Sequence, residues 1–190
     1  MARDISVGSP AVEALKTGPG EADNANMITA FFEPAPLSAK EIAELIEGTR
    51  WSDQFSWQEI LTLSEYCLAY YEPVGTTLVR EGDRDRFMCL VTEGKVRIHK
   101  DQGFGGSQVI AKLGPGQAFG EMALFDAEPR SATVEAETDT TLVRLSIEDF
   151  NRLTREVPEL GIKLLTKIAS LMSQRLRQTS GHLVEALADD

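Results

Sequence analysis

FGEMALFDAEPRSATVEA, residues 119–136, sets Arg130 behind Pro129 and nine residues after Glu121, which itself follows Gly120. Without a Cβ, Gly120 lets the main chain approach a ligand closely. Glu121 to Phe125 is helix-friendly, so its first N–H groups are free to face an anion. Arg130 offers a planar fork of donors suited to a phosphate, and the hydroxyl and N–H of Ser131 can add bonds to the same oxygens. A carboxylate repels a phosphate but accepts well from sugar hydroxyls, which is the part open to Glu121. Two readings follow: a site for one phosphate beside a ribose, or a structural ion pair across a turn.

The flanking sequence is β-rich. Between Ala69 and Arg144 run YYEP, TTLVRE, FMCLVTE, KVRIHK, SQVIAKL, ATVEAE and TTLVRL, broken at regular intervals by glycine. That texture predicts an all-β sandwich or barrel. Helices bracket it. Ser38 with Glu41, and Ser56 with Glu59, are capping boxes, each leading into an apolar run at helical spacing. The first helix is expected to end near Gly48. Ser146 caps a helix through IEDFNRLTREV, and Pro158 opens a longer one to about residue 178, with Leu160, Leu164, Leu165, Ile168, Leu171, Met172 and Leu176 in a broad stripe. Such a stripe can serve the core alone, or the core and a second copy of the chain. Gly181 is expected to end or loosen that helix.

Composition narrows the function. A formal charge of -11 opposes binding to nucleic acid, whose affinity comes mainly from lysine and arginine at phosphates. No apolar run approaches the ~18 residues of a membrane helix. The first 24 residues hold no hydrophobic signal region, so a cytoplasmic protein is expected. Cys67 and Cys89 lack a CxxC partner and read as buried thiols, with no metal or cluster site. No P-loop, catalytic triad context or metal-ligand cluster supports an enzyme.

Taken together, FGE, the spacer and PRSAT resemble the phosphate-binding cassette of cyclic nucleotide-binding domains, as found in bacterial cyclic AMP receptor proteins and in regulatory subunits of cyclic AMP-dependent protein kinase. The run Tyr71 to Asp83 is similar to that family's opening turns, and Phe87 through Val96 resembles its third strand and hairpin. The resemblance implies a mainly β fold, an eight-stranded jelly-roll-like β-roll, with N-terminal helices and a C-terminal helix pair. It divides the chain into a disordered leader (1–28), a helical extension (29–54), a cyclic nucleotide-binding domain (55–180) and a tail (181–190). Within that domain the roll is expected over about 69–145 and the C-terminal helices over about 147–178.

By the same resemblance, Arg130 and the amides of Ser131 and Ala132 would hold a cyclic phosphate and Glu121 the ribose 2′-hydroxyl. Gly120, Met122 and Ala123 would supply backbone, and Ile98 and Ile110 would line the base. Thr179 and Ser180 are similar to base-reading hydroxyls of the bacterial receptor, against the alternative that they are exposed residues near a helix end. The implied function is a sensor without catalysis, with cyclic AMP as ligand and cyclic GMP or a cyclic dinucleotide as alternatives. After the long helix only nine residues follow Gly181, too few for a helix-turn-helix. The expected output is an unidentified partner protein, with a homodimer through the C-terminal helix also open. Two other classes are a haem sensor using His99 or His182, which read instead as a solvent-facing strand residue and a tail residue, and a nucleotide-independent interaction module.

Overall fold

The computed structural model describes residues 34–101, 106–126 and 128–188. The leader expected over residues 1–28 lies outside them. Helix α1 (Ala39–Glu47) and helix α2 (Trp57–Ser64) both start with the capping box expected of them. In α1 the Glu41 N–H donates to Ser38 Oγ at 3.4 Å and the Ser38 N–H to Glu41 Oε2 at 2.8 Å. In α2 the same exchange between Ser56 and Glu59 measures 3.3 and 2.7 Å. Two orphan donors are satisfied at each start, which fixes where the helix begins. Ile42, Leu45 and Ile46 form the buried face of α1, and the Ser64 hydroxyl donates to Ala39 O at 2.6 Å, tying α2 to α1. Between the helices a 3-10 helix (Arg50–Gln54) brings the rings of Trp51 and Phe55 into a stack 5.2 Å apart.

Eight strands follow: β1 (Leu68–Glu72), β2 (Thr77–Val79), β3 (Phe87–Glu93), β4 (Val96–Asp101), β5 (Ser107–Leu113), β6 (Ala118–Phe119), β7 (Thr133–Ala136) and β8 (Thr140–Ser146). They form two four-stranded antiparallel sheets ordered β1-β8-β3-β6 and β2-β7-β4-β5. Leu78, Val91, Val96, Phe119 and Leu142 meet in the core they share. The eight-stranded roll with flanking helices is therefore as expected. The sequence texture holds seven of these strands; the eighth, β6, is two residues long and exists through its pairing with Cys89 and Leu90.

Two compact units make up the chain, one ending at Asp149 and one beginning at Phe150. Helix α3 (Ile147–Glu156) is capped by Ser146, whose Oγ accepts from the Asp149 N–H at 3.0 Å. In the second unit, helix α4 (Pro158–Ala188) meets α3 closely: a Cβ on Gly161 would stand 2.9 Å from Thr154 Cα. Leu160, Leu164 and Ile168 are buried on α4, whereas Ile162, Leu165 and Leu176 are exposed. Helix α4 does not stop near residue 178 but continues through Gly181 to Ala188, and His182 lies on it. Glycine ends a helix by turning left-handed, and Gly181 is not one of the left-handed glycines. Kept in the helix, it costs about 0.5–1 kcal/mol relative to alanine, too little to break it.

Candidate functional site

The site is built where β6 runs out. Gly120 takes the left-handed conformation, φ 76° and ψ 9°, and a 3-10 helix follows over Glu121–Leu124. A Cβ on Gly120 would sit 2.6 Å from Arg130 Nη1 and 2.8 Å from the Phe87 carbonyl oxygen. The turn therefore needs glycine twice, for its dihedral and for the space that Arg130 occupies. The helix-friendly run is real, but its form is a 3-10 turn of four residues rather than an α-helix.

Arg130 is gripped from both ends. Its N–H donates to Asp83 O at 2.8 Å and its carbonyl accepts from the Gly82 N–H at 2.9 Å. Its guanidinium donates from Nη2 to Phe87 O at 2.9 Å and from Nη1 to Gly120 O at 3.2 Å. The group also stands 4.3 Å from the centroid of the Phe87 ring, where a cation meets the negative face of the π system. Only 7% of Arg130 is exposed, and Nε, buried, has no hydrogen-bond partner among the described residues. Burial pulls the guanidinium pKa down, while Cys89, Asp85, Asp83 and Glu121 pull it up. An arginine still stays charged under those conditions.

Glu121 is 5% exposed, Ala123 is buried, Met122 is largely exposed, Ser131 is exposed and Ala132 is half-buried. The fold thus gathers Gly120, Glu121, Met122, Ala123 and Arg130 at one end of β3 and β6, with Ser131 and Ala132 leading away into β7. Arg130 is thus a buried cation with one nitrogen, Nε, unpartnered among the described residues, beside a left-handed glycine whose missing Cβ makes room for its guanidinium.

The expected base-lining residues divide. Ile98 is half-buried against the core. Ile110 is 56% exposed on the edge strand β5 and is the extra residue of a bulge there, since Ile98 pairs with Ala111 and His99 with Val109. Thr179 and Ser180 are exposed on α4, in the second unit. His99 is not the open surface residue the sequence suggested. Its Nδ1 lies 2.8 Å from Ser107 Oγ and its Nε2 3.7 Å from a Glu135 carboxylate oxygen. Both cysteines are buried and free, as expected. Burial pushes the Cys67 thiol up to about 12, with Asp149 adding to it, and pushes Cys89 up as well. Sequence reasoning missed Phe87, Gly82 and Asp83, which hold Arg130 chiefly through main-chain atoms that leave no trace in residue identity.

Comparison with known proteins gives this β-roll and its arginine cassette their family. Residues 72–156 match the cyclic nucleotide-binding domain. The chain is similar to the crystal structure of a cyclic nucleotide-binding domain from Methylobacillus flagellatus, at 32% identity and a TM-score of 0.68, covering 78% of this chain and 83% of that one. It is 36% identical over 118 residues to the cyclic AMP receptor protein of Thermus thermophilus, covering 60% of this chain and 53% of that protein. The cyclic AMP co-crystal structure of the regulatory domain of Toxoplasma gondii PKA aligns at 26% identity and a TM-score of 0.57, over 70% of this chain and 49% of that one. The chain belongs to the cyclic nucleotide-binding domain family. It spans about half the length of the Thermus thermophilus relative. Among the described residues no helix is long and apolar enough to cross a membrane, and no group of three or more His, Cys, Asp and Glu is placed to hold a metal ion.

Proposed function

We propose that this protein is a cyclic AMP sensor that binds its ligand without chemical change and passes its occupancy through the C-terminal helices to a partner protein. The observation that carries the reading is Arg130: a buried guanidinium, fixed on two main-chain carbonyls and an aromatic face, with Nε still unpartnered among the described residues. In this reading Arg130 and the amides of Ser131 and Ala132 take the cyclic phosphate. Glu121 accepts from the ribose 2′-hydroxyl, and Gly120, Met122 and Ala123 form the wall beside it. Ile98 and Ile110 supply apolar surface for the base. The net charge of -11 is no obstacle, because distant solvated charges are screened beyond about 8 Å whereas Arg130 acts at contact. Cyclic AMP is favoured over cyclic GMP and cyclic dinucleotides by two relatives, one named a cyclic AMP receptor and one crystallised with that nucleotide.

A homodimer through α4 belongs to the same proposal. Ile162, Leu165, Ala169, Met172 and Leu176 alternate spacings of three and four, and Ile162, Leu165 and Leu176 are exposed. A seam of that period suits a left-handed pair of helices.

The test is thermal unfolding of the wild type and Arg130→Ala with cyclic AMP, cyclic GMP, cyclic di-GMP and 5′-AMP at about a hundred times the dissociation constant. Saturation of that degree adds about 2.7 kcal/mol and raises the midpoint by roughly 5 to 10 °C. A shift with cyclic AMP that vanishes in Arg130→Ala supports the proposal. No shift with any nucleotide removes it and leaves an interaction module.

A further inference from the structure

The cassette turn is held from outside itself. A 3-10 helix of four residues has poor hydrogen-bond geometry, and here its opening bond, Ala123 N–H to Gly120 O, is long at 3.3 Å. The side chain of Arg86 reaches in from the residue before β3 and donates from Nε to the Ala123 carbonyl at 3.0 Å, bridging 37 positions of sequence. Arg86 is otherwise exposed. Its own carbonyl accepts from the N–H of Ile147, the first residue of α3, at 2.9 Å. Its neighbour Phe87 carries the carbonyl and the ring that hold Arg130. Two consecutive residues therefore contact both halves of the cassette, Arg86 the turn and Phe87 the arginine, and the first of them also contacts the start of α3.

We infer that Arg86 is a positioning residue for nucleotide binding: its Nε–H fixes the peptide at Ala123, and so aims the Gly120–Ala123 main chain at the ligand. The inference rests on the reading of the cassette as a nucleotide site. Because the same residue accepts from Ile147, a shift of the turn on binding is felt at the first peptide of α3. The contact to Ala123 depends on the Arg86 side chain, whereas the one from Ile147 is main chain on both sides and stays whatever residue stands at 86.

The experiment pairs two variants of nearly equal length. Glutamine carries a nitrogen donor at the atom position that Nε occupies in arginine, and methionine carries a methyl group there. Cyclic AMP affinity of the full chain is measured by calorimetry for wild type, Arg86→Gln and Arg86→Met, with amide exchange at Ile147 followed with and without nucleotide. Arg86→Met is expected to raise Kd about tenfold, the scale of one hydrogen bond from a charged donor. Arg86→Gln is expected within about threefold of wild type. All three should unfold at nearly the same temperature without nucleotide, since the side chain is exposed. Nucleotide should slow exchange at Ile147 in wild type and Arg86→Gln and less in Arg86→Met. Equal affinities in the three proteins, or equal losses in both variants, would overturn the inference. Failure of the wild type itself to bind removes the sensor reading, and this inference with it.

Discussion

Arg130 and Phe87 are joined by two forces at once: Nη2 donates to the Phe87 carbonyl at 2.9 Å, and the guanidinium lies 4.3 Å from the centre of the same residue's ring. The first contact fixes the fork's direction and the second its plane. A side chain with many rotamers is thereby reduced to one orientation before any ligand contact is made, which lowers the ordering cost of binding.

Charge alone should not reproduce that arrangement. Arg130→Lys keeps a cation but loses the planar fork that meets Phe87 O and Gly120 O together. Calorimetric titration with cyclic AMP is expected to show at least a tenfold weaker Kd for Arg130→Lys and no measurable binding for Arg130→Ala. Equal affinity of Arg130→Lys and wild type would remove the fork from the explanation.

Gly120→Ala is expected to damage both stability and binding. The left-handed dihedral costs an L-residue about 1–2 kcal/mol, and the new Cβ would meet Arg130 Nη1 at 2.6 Å. For a chain of this size the unfolding midpoint should fall by roughly 4 °C or more. Scanning calorimetry checks this, and an unchanged midpoint contradicts it.

The assignment of Glu121 is checked on the ligand rather than on the protein alone. Wild type should bind cyclic AMP more tightly than its 2′-deoxy analogue by about tenfold, the worth of a hydrogen bond to a charged acceptor. In Glu121→Ala the two nucleotides should bind alike. Full discrimination persisting in the variant would reassign the ribose contact.

Alkaline conditions should weaken the fold through its buried thiols. Cys67 holds its proton up to about 12 in the folded chain against an ordinary 9.0, and burial shifts Cys89 the same way. Between those values the folded state binds more protons than the unfolded one, so stability falls as pH rises from about 9 toward 12. Below pH 9 the thiols add no slope. Urea unfolding from pH 8 to 11 is expected to show this decline, reduced in Cys67→Ala. Tyr70 and Tyr71, also shifted upward, keep part of the slope in that variant.

What could be read from the sequence was what short-range chemistry decides. The Ser38–Glu41 and Ser56–Glu59 boxes are complete within four residues, and Gly120, Glu121 and Arg130 declare themselves by residue type and spacing. Strand β6 escaped because two residues have no periodicity; only its pairing with Cys89 and Leu90, some thirty positions earlier, defines it. The course of α4 past Gly181 escaped because a propensity of under about 1 kcal/mol does not decide a helix of this length. Arg86 escaped because its partner is a carbonyl, and every residue has one.

The two acceptors that fix the Arg130 fork, at Phe87 and Gly120, are both main-chain oxygens. No codon change at either position can delete an acceptor; it can only bend the path of the chain. That half of the grip on Arg130 is accordingly inherited with the backbone route, whereas the π face needs an aromatic side chain at position 87. Lineages of such a chain would give up the ring long before they lost the two carbonyls.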